Sequence, residues 1–270
     1  MTDAGTYIQG ALETNPLREP VFSDAIQALQ LPLGSRGLDA GCGIGLQALM
    51  LAEAVGPAGH VTGLDISPEL LLYGEEMVKK SALSKRITFW EGDLSNLPFD
   101  DDTFDWVWSA DCVGYPVAQL LPMLKELARV VRPDGSLAIL AWSSQQFLPG
   151  YPLLEARLNA TCSTFTPFVK GKNPESHFLR ALRWFEEAGL DEATAKTFVG
   201  DVQAPLNTDI RRAIFSLFEM LWGERRPEVT PEDWAEYQRL CVPESVDFIL
   251  DLPSYYAFFT YSMFQAKVRL

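Results

Sequence analysis

The chain has 270 residues, 47% apolar and 21% charged, a globular balance that excludes disorder or a fibrous repeat as a description of the whole. With 22 basic and 36 acidic residues the formal net charge is −14, which repels nucleic-acid phosphates and anionic lipid and argues against both as partners. No apolar run reaches the ~18 residues of a membrane span, and the first residues, Met1 to Gly5, carry no basic or apolar leader, so a soluble, cytoplasmic protein is expected.

The N-terminal segment, residues 1–35, reads as helical, with Val21, Ala25, Ile26 and Leu29 on one face. From there to residue 145, short apolar runs alternate with helical patterns. Strands are expected at Gly37–Ala40, His60–Asp65, Ile87–Trp90, Phe104–Trp108 and Leu137–Ala141. Ser67 is placed to cap a helix that has Pro68 at its first position. Leu124, Leu127, Val130 and Val131 recur at helical spacing, and Arg132-Pro133-Asp134-Gly135 reads as a turn. Such alternation predicts a parallel sheet buried on both faces. A further helix is expected to open at Asn173-Pro174-Glu175 and stop at Gly189. Ala193–Val199 and Tyr255–Ala266 follow as strands, with a helix over Thr208–Trp222 between them.

Residues 200–253 are too many for an ordinary connection and predict a helical insertion. They and residues 143–175 leave strands at the carboxyl edge, where open α/β sheets bind ligands, so both are expected to cover the crevice. Thirteen of the 31 aromatics fall between Phe198 and Phe264. They serve either as the insertion's own core or as an apolar pocket for a substrate.

The four cysteines, Cys42, Cys112, Cys162 and Cys241, are far apart and form no CxxC. The two histidines, His60 and His177, belong to no HExxH. Neither a disulfide framework nor a metal site is expected.

The segment Leu38-Asp39-Ala40-Gly41-Cys42-Gly43-Ile44-Gly45 joins the first strand to a helix. Its third glycine comes one place too early for the dinucleotide fingerprint, which argues against a nicotinamide or flavin cofactor. Asp65 ends the second strand, where a carboxylate can accept both hydroxyls of a ribose or cap the next helix. After the third strand, Asp93 could bond an adenine amino group while Leu94 packs on the ring.

With these segments in place, the chain resembles the class I S-adenosylmethionine-dependent methyltransferases, in the style of the ubiquinone/menaquinone-biosynthesis group. The resemblance lies in LDAGCGIG (38–45), VTGLDISPELL (61–71), ITFWEGDLSNLPFDDDTFDWVWSADCV (87–113) and LARVVRPDGSLAILAW (127–142). It implies a Rossmann-like α/β fold: a seven-stranded, mostly parallel sheet with the last strand antiparallel, helices on both faces and a helical cap. The whole chain would then be one methyltransferase domain, with its core in 36–142, 176–199 and 254–270 and the cap in 200–253.

The implied cofactor is S-adenosylmethionine. Asp39, Gly41, Gly43 and Gly45 would line its methionine part, Asp65 with Ile66 beside it would hold the ribose, and Asp93 and Leu94 the adenine. The implied activity is in-line methyl transfer to a small-molecule acceptor, apolar or aromatic. The alternatives are an NAD-dependent oxidoreductase and a non-catalytic S-adenosylmethionine-binding module.

Asp111, at the end of the fourth strand, could bind a substrate cation or take a proton. It could equally hold the methionine amino group or cap a turn. Tyr115 could orient the acceptor or simply pack. His177, in the first turn of a helix starting at the ligand edge, is a candidate general base or an exposed residue. From the N-terminal segment, Arg18 could pair with the methionine carboxylate and Tyr7 could close the pocket, or both could be ordinary surface and packing residues. Packing explains Cys42 and Cys112.

Overall fold

The computed structural model describes residues 4–113, 120–162, 175 and 177–269. Seven strands, β1 (Arg36–Ala40), β2 (His60–Asp65), β3 (Ile87–Glu91), β4 (Phe104–Ala110), β5 (Val131–Gln146), β6 (Asp191–Gln203) and β7 (Tyr256–Lys267), form one sheet in the order β3-β2-β1-β4-β5-β7-β6. The pairs β1–β2, β2–β3, β1–β4 and β4–β5 are parallel. β7 runs antiparallel to both neighbours. Asp134 N donates to Val268 O while Ser143 Oγ donates to Thr260 O, so β7 descends as β5 rises. Against β6, Arg269 meets Asp191 while Thr197 meets Ser262. The fold is the one expected, with the last strand reversed.

Chain order starts at β1, runs outward to β3, then returns to β4 on the other side of β1. The carboxyl ends of β1 and β4 are therefore the switch point, where an open α/β sheet leaves a crevice between diverging connections. The sheet buries both faces. Leu38, Ala40, Leu64, Val107, Leu137 and Ile139 pack with buried residues of α4 (Leu120–Arg129) and α6 (Ala181–Ala188), including Leu124, Leu127, Ala181 and Phe185. On the other face Gly37 is opposite Trp106 in register. A Cβ there would fall 2.1 Å from the Trp106 ring, so only glycine lets the indole lie on the strand.

The chain divides into two compact units. The sheet unit comprises Phe22–Trp142, Glu175–Phe198 and Tyr261–Leu270, and the helical unit Met1–Val21, Ser143–Pro174 and Val199–Thr260. In the sheet unit, Ser67 Oγ accepts from Leu70 N and starts α3 (Pro68–Lys79), with Pro68 just inside the cap. The helical unit holds α5 (Pro152–Thr161), α7 (Thr208–Trp222) and α8 (Pro231–Cys241). Asn207 caps α7 by accepting from Ile210 N, and Thr230 caps α8 by accepting from Asp233 N. The core of this unit is aromatic: Phe147, Phe218, Trp222 and Phe259 are buried together. Its aromatic density therefore goes largely into its own packing. The helix α1 (Ala4–Ala28) carries Val21, Ala25 and Ile26 as buried residues. Among the described residues no helix is long and apolar enough to cross a membrane.

Three boundaries differ from expectation. The helix around Leu124 ends at Arg129, and Val131 already belongs to β5. The Arg132–Gly135 turn lies inside β5 as a bulge. β4 advances two residues from Phe104 to Trp106 while β5 advances from Val131 to Ser136, with Asp134 at φ 64°. Among the described residues, the helix expected to run from Asn173 to Gly189 is an α-helix only from Ala181. A short 3₁₀ turn, Phe178–Arg180, leads into α6, and His177 precedes both.

Candidate active site

The loop after β1 folds onto β2. Gly41 N and Cys42 N both donate to Leu64 O, at 2.8 and 3.0 Å, and Gly45 N donates to Cys42 O at 2.9 Å. Gly41, Gly43 and Gly45 all have positive φ, at 78°, 54° and 77°, a region costly for residues with a Cβ. Space forbids side chains as well. A Cβ at Gly41 would lie 2.3 Å from Cys112 Sγ, and one at Gly45 2.6 Å from the Phe89 ring. The same ring crowds Gly63 and comes within 3.3 Å at Gly74, where the Ile44 carbonyl oxygen is nearer still at 2.9 Å. The helix α2 (Leu46–Ala54) starts at once after Gly45, with no side chain capping its first turn.

Asp65 locks this loop to the start of α3. Its Oδ2 accepts from Gly43 N at 2.8 Å and its Oδ1 from Ser67 N at 3.0 Å. A carboxylate oxygen has room for a second donor, so both remain able to take a hydroxyl. Ile66, next to it, is 70% exposed. Asp93 is exposed and folds its own turn, its Oδ1 accepting from Ser95 N. Leu94 is buried and reaches to 4.0 Å from a Cβ placed at Gly41, which brings the end of β3 to the glycine loop.

Asp39 stands one residue from the end of β1 and is only 2% exposed. Its Oδ2 has no hydrogen-bond partner. Burial, reinforced by the nearby Asp65 carboxylate, pushes its pKa up to about 8. In register it faces Gly63 on β2 and Trp108 on β4. Trp108 Nε1, also buried, lacks a partner too. Cys42 and Cys112 are held as thiols. Burial first, and then the carboxylates of Asp39 and Asp65, raise both, Cys112 to about 12.

Asp111 is committed within the sheet unit. It sits at φ 51°, its Oδ1 accepts from Trp142 N at 3.0 Å, and its Oδ2 accepts from Tyr261 OH at 2.8 Å. It thereby ties the end of β4 to β5 and β7. His177 is not in the first turn of a long helix, as expected. It caps the 3₁₀ turn, Nδ1 accepting from Leu179 N at 3.2 Å, and it stacks on Phe178. Burial lowers its pKa. Tyr115 lies outside the described residues. Tyr7 and Arg18 stand on α1 in the helical unit, Tyr7 half exposed. Thus the structure gathers Asp39, Gly41, Gly43, Gly45, Asp65 and Leu94, with Cys42 and Cys112, around one loop. Sequence reasoning missed Phe89, whose signal was the three glycines around it. It also missed Trp108 and Tyr261, which gave none.

The charged and titratable groups that act on Asp39 and the two thiols are carboxylates and thiols. With an orphaned buried acceptor, that set fits a ligand carrying a cationic centre and hydroxyls. It fits a dianionic pyrophosphate poorly.

Comparisons with known proteins agree. A family model described as "Methyltransferase domain" matches residues 38–135. The demethylmenaquinone methyltransferase of Lysinibacillus sphaericus is 32% identical over 197 residues, covering 67% of this chain and 81% of that protein. The enzyme of the same name from Anoxybacillus flavithermus is 37% identical over 177 residues, covering 63% and 70%. In structure, a SAM dependent methyltransferase from Aquifex aeolicus superposes with a TM-score of 0.56 at 18% identity, covering 99% of this chain and 100% of that one.

Proposed function

We propose that this chain, which belongs to the class I S-adenosylmethionine-dependent methyltransferases and transfers a methyl group from that cofactor to a small-molecule acceptor, holds the cofactor along the carboxyl ends of β1, β2 and β3 and takes an apolar, ring-bearing acceptor of the demethylmenaquinone class. The observation that carries the placement is the pair Asp39 and Asp65 framing a loop of three positive-φ glycines. Bound S-adenosylmethionine supplies a methyl group on a positively charged sulfur, already activated for in-line displacement.

The chain's own residues then position and shield. Asp65, fixed by Gly43 N and Ser67 N, presents both oxygens to the ribose hydroxyls. Ile66 flanks the ribose beside Asp65, Leu94 packs on the adenine, and Asp93 accepts from its amino group. The uncapped first turn of α2 receives the methionine carboxylate. The glycines let the backbone come close without side chains in the way.

Asp111 serves as a tie between β4, β5 and β7, its Oδ1 accepting from Trp142 N and its Oδ2 from Tyr261 OH, a structural role in which it takes no proton. His177 also takes no proton. With Nδ1 accepting from Leu179 N, a neutral ring carries its hydrogen on Nε2 and has no spare lone pair there. The acceptor's own electron-rich ring is the nucleophile: a ring carbon forms the new bond to the methyl group as the bond from sulfur breaks, the displaced ring proton leaves to buffer as aromaticity returns, and rate comes from alignment. Tyr115, outside the described residues, is the residue assigned to orient the acceptor. Cys42, Cys112 and Cys241 are thiols outside any disulfide, in keeping with a cytoplasmic setting.

The acceptor of the related demethylmenaquinone methyltransferases supports this class. The test is methyl transfer from labelled S-adenosylmethionine to a short-chain demethylmenaquinol against a hydrophilic amine of similar size. Label in the quinol supports the reading. Label only in the amine overturns it.

A further inference from the structure

Among the described residues, Asp39 is the buried acid of the site that the fold leaves unfinished. Asp65 and Asp111 each have both oxygens engaged, yet Asp39 is more deeply buried than either and its Oδ2 is without a partner. Leaving a buried acceptor unpaired costs roughly 1–3 kcal/mol, more if it is charged. The cost falls at the switch point of the sheet, beside the glycine loop. The orphan is not isolated. Register partners in a parallel pair share a face of the sheet. Asp39 and Trp108 are such partners, and Trp108 Nε1 is a second buried atom the folded chain does not satisfy.

We propose that Asp39 carries a proton in the cofactor-free chain and releases it to solvent when a cationic group of the bound cofactor takes its place beside Oδ2, so that cofactor binding is coupled to pH. This rests on the cofactor reading above and deepens it. The O–H bond of the carboxylic acid breaks, the proton leaves to buffer, and the ligand's positive charge compensates the carboxylate left behind.

The surroundings favour the neutral form before binding. Among the described residues, the groups facing Asp39 are the Asp65 carboxylate at the end of β2, the Cys42 thiol in the loop and the Cys112 thiol after β4, with Asp111 acting on Cys112. A carboxylate beside a carboxylate in a low-dielectric pocket keeps a proton until a cation enters. The burial that holds its pKa near 8 puts the exchange at neutral pH.

The experiment is titration calorimetry of S-adenosylmethionine and of S-adenosylhomocysteine at pH 7, in buffers of different ionisation enthalpy, repeated from pH 6 to 9. Close to one proton is expected to leave per S-adenosylmethionine bound at pH 7. Its affinity is expected to rise about tenfold per pH unit below pH 8 and to level off above it. Release with both ligands assigns the cation to the shared ammonium group, and release with S-adenosylmethionine alone assigns it to the sulfonium.

Asp39→Asn should abolish the release. If that variant does not fold, the infrared difference spectrum of the wild type decides, by loss of a protonated-carboxyl band on binding. Tight binding with no proton released and no pH dependence overturns the proposal while leaving the cofactor reading intact. Release that persists in Asp39→Asn also overturns it. Binding of neither ligand sinks the cofactor reading itself.

Discussion

Two buried carboxyl groups, one in each unit, are treated in opposite ways. Glu155 in the helical unit is fully buried, yet its oxygens accept the backbone N–H groups of Phe147 and Leu148, at 2.8 to 3.0 Å. The same turn is held a second time by Tyr255 OH, which donates to Phe147 O. Asp39 in the sheet unit is nearly as buried and has an oxygen with no donor. Burial raises the pKa of both. The difference is that Glu155 is finished by the fold and Asp39 is not. A buried acid that the chain satisfies belongs to the architecture, and one it leaves open is completed by a ligand.

The largest expected effect separates the two by pH. Asp39 holds its proton folded and loses it unfolded, so the folded chain binds more protons between the two pKa values. The stability tied to this proton is complete below pH 4 and is lost as pH rises through about 8. Without cofactor, the free energy of unfolding in urea should fall by up to about 4 kcal/mol from pH 5 to 8 on this account. Asp39→Asn, which keeps the shape without the charge, should remove that part of the slope. An unchanged slope in the variant would place the titration elsewhere.

Next comes Glu155. Glu155→Gln puts an NH₂ donor against buried N–H groups and should cost about 3 kcal/mol in urea. Cofactor affinity of the folded fraction should stay within about threefold, since that acid serves the fold. A variant of full stability but lost cofactor binding would reverse the roles assigned to the two acids.

Smaller again is Gly45→Ala. It forces an L-residue to φ 77° and a methyl toward the Phe89 ring, for roughly 2 kcal/mol of stability and weaker cofactor binding. Restored stability in Gly45→Ala with Phe89→Leu would show that the clash, not the backbone, dominates. The smallest effect belongs to His177→Gln. It removes a 3₁₀ cap and should change stability by about 0.5 kcal/mol or less and kcat by less than about threefold. A loss of a hundredfold, with a shifted pH profile, would restore His177 as the base.

Much of the sheet unit was legible in the sequence because local signals agree there. Ser67-Pro68 announces α3, apolar runs mark β1 and β2, and glycines mark the loop between β1 and α2. The apolar spacing of α7 likewise gave its bounds at Thr208 and Trp222. Misreadings came where one pattern continues across a boundary. Val130 and Val131 prolong the helical spacing of α4, although the chain has already turned into β5. Pro133-Asp134-Gly135 has the composition of a turn, and only pairing with β4 on one side and β7 on the other makes it a bulge within a strand.

At the site, residue types and spacing pointed to Asp39, Asp65 and the glycines, but not to their state. That Asp111 is spent on Tyr261, 150 residues away, and that Asp39 is left without a donor, are facts of tertiary packing.

The central claim is that Asp65 and the glycine loop hold S-adenosylmethionine. The most direct test is calorimetric binding of S-adenosylmethionine, S-adenosylhomocysteine and NAD to the wild type and to Asp65→Ala, with folding checked by circular dichroism. The account predicts that both adenosyl ligands bind the wild type, that NAD does not, and that the variant loses about 2 kcal/mol, roughly thirtyfold in Kd. Unchanged adenosyl binding in a folded Asp65→Ala would contradict it.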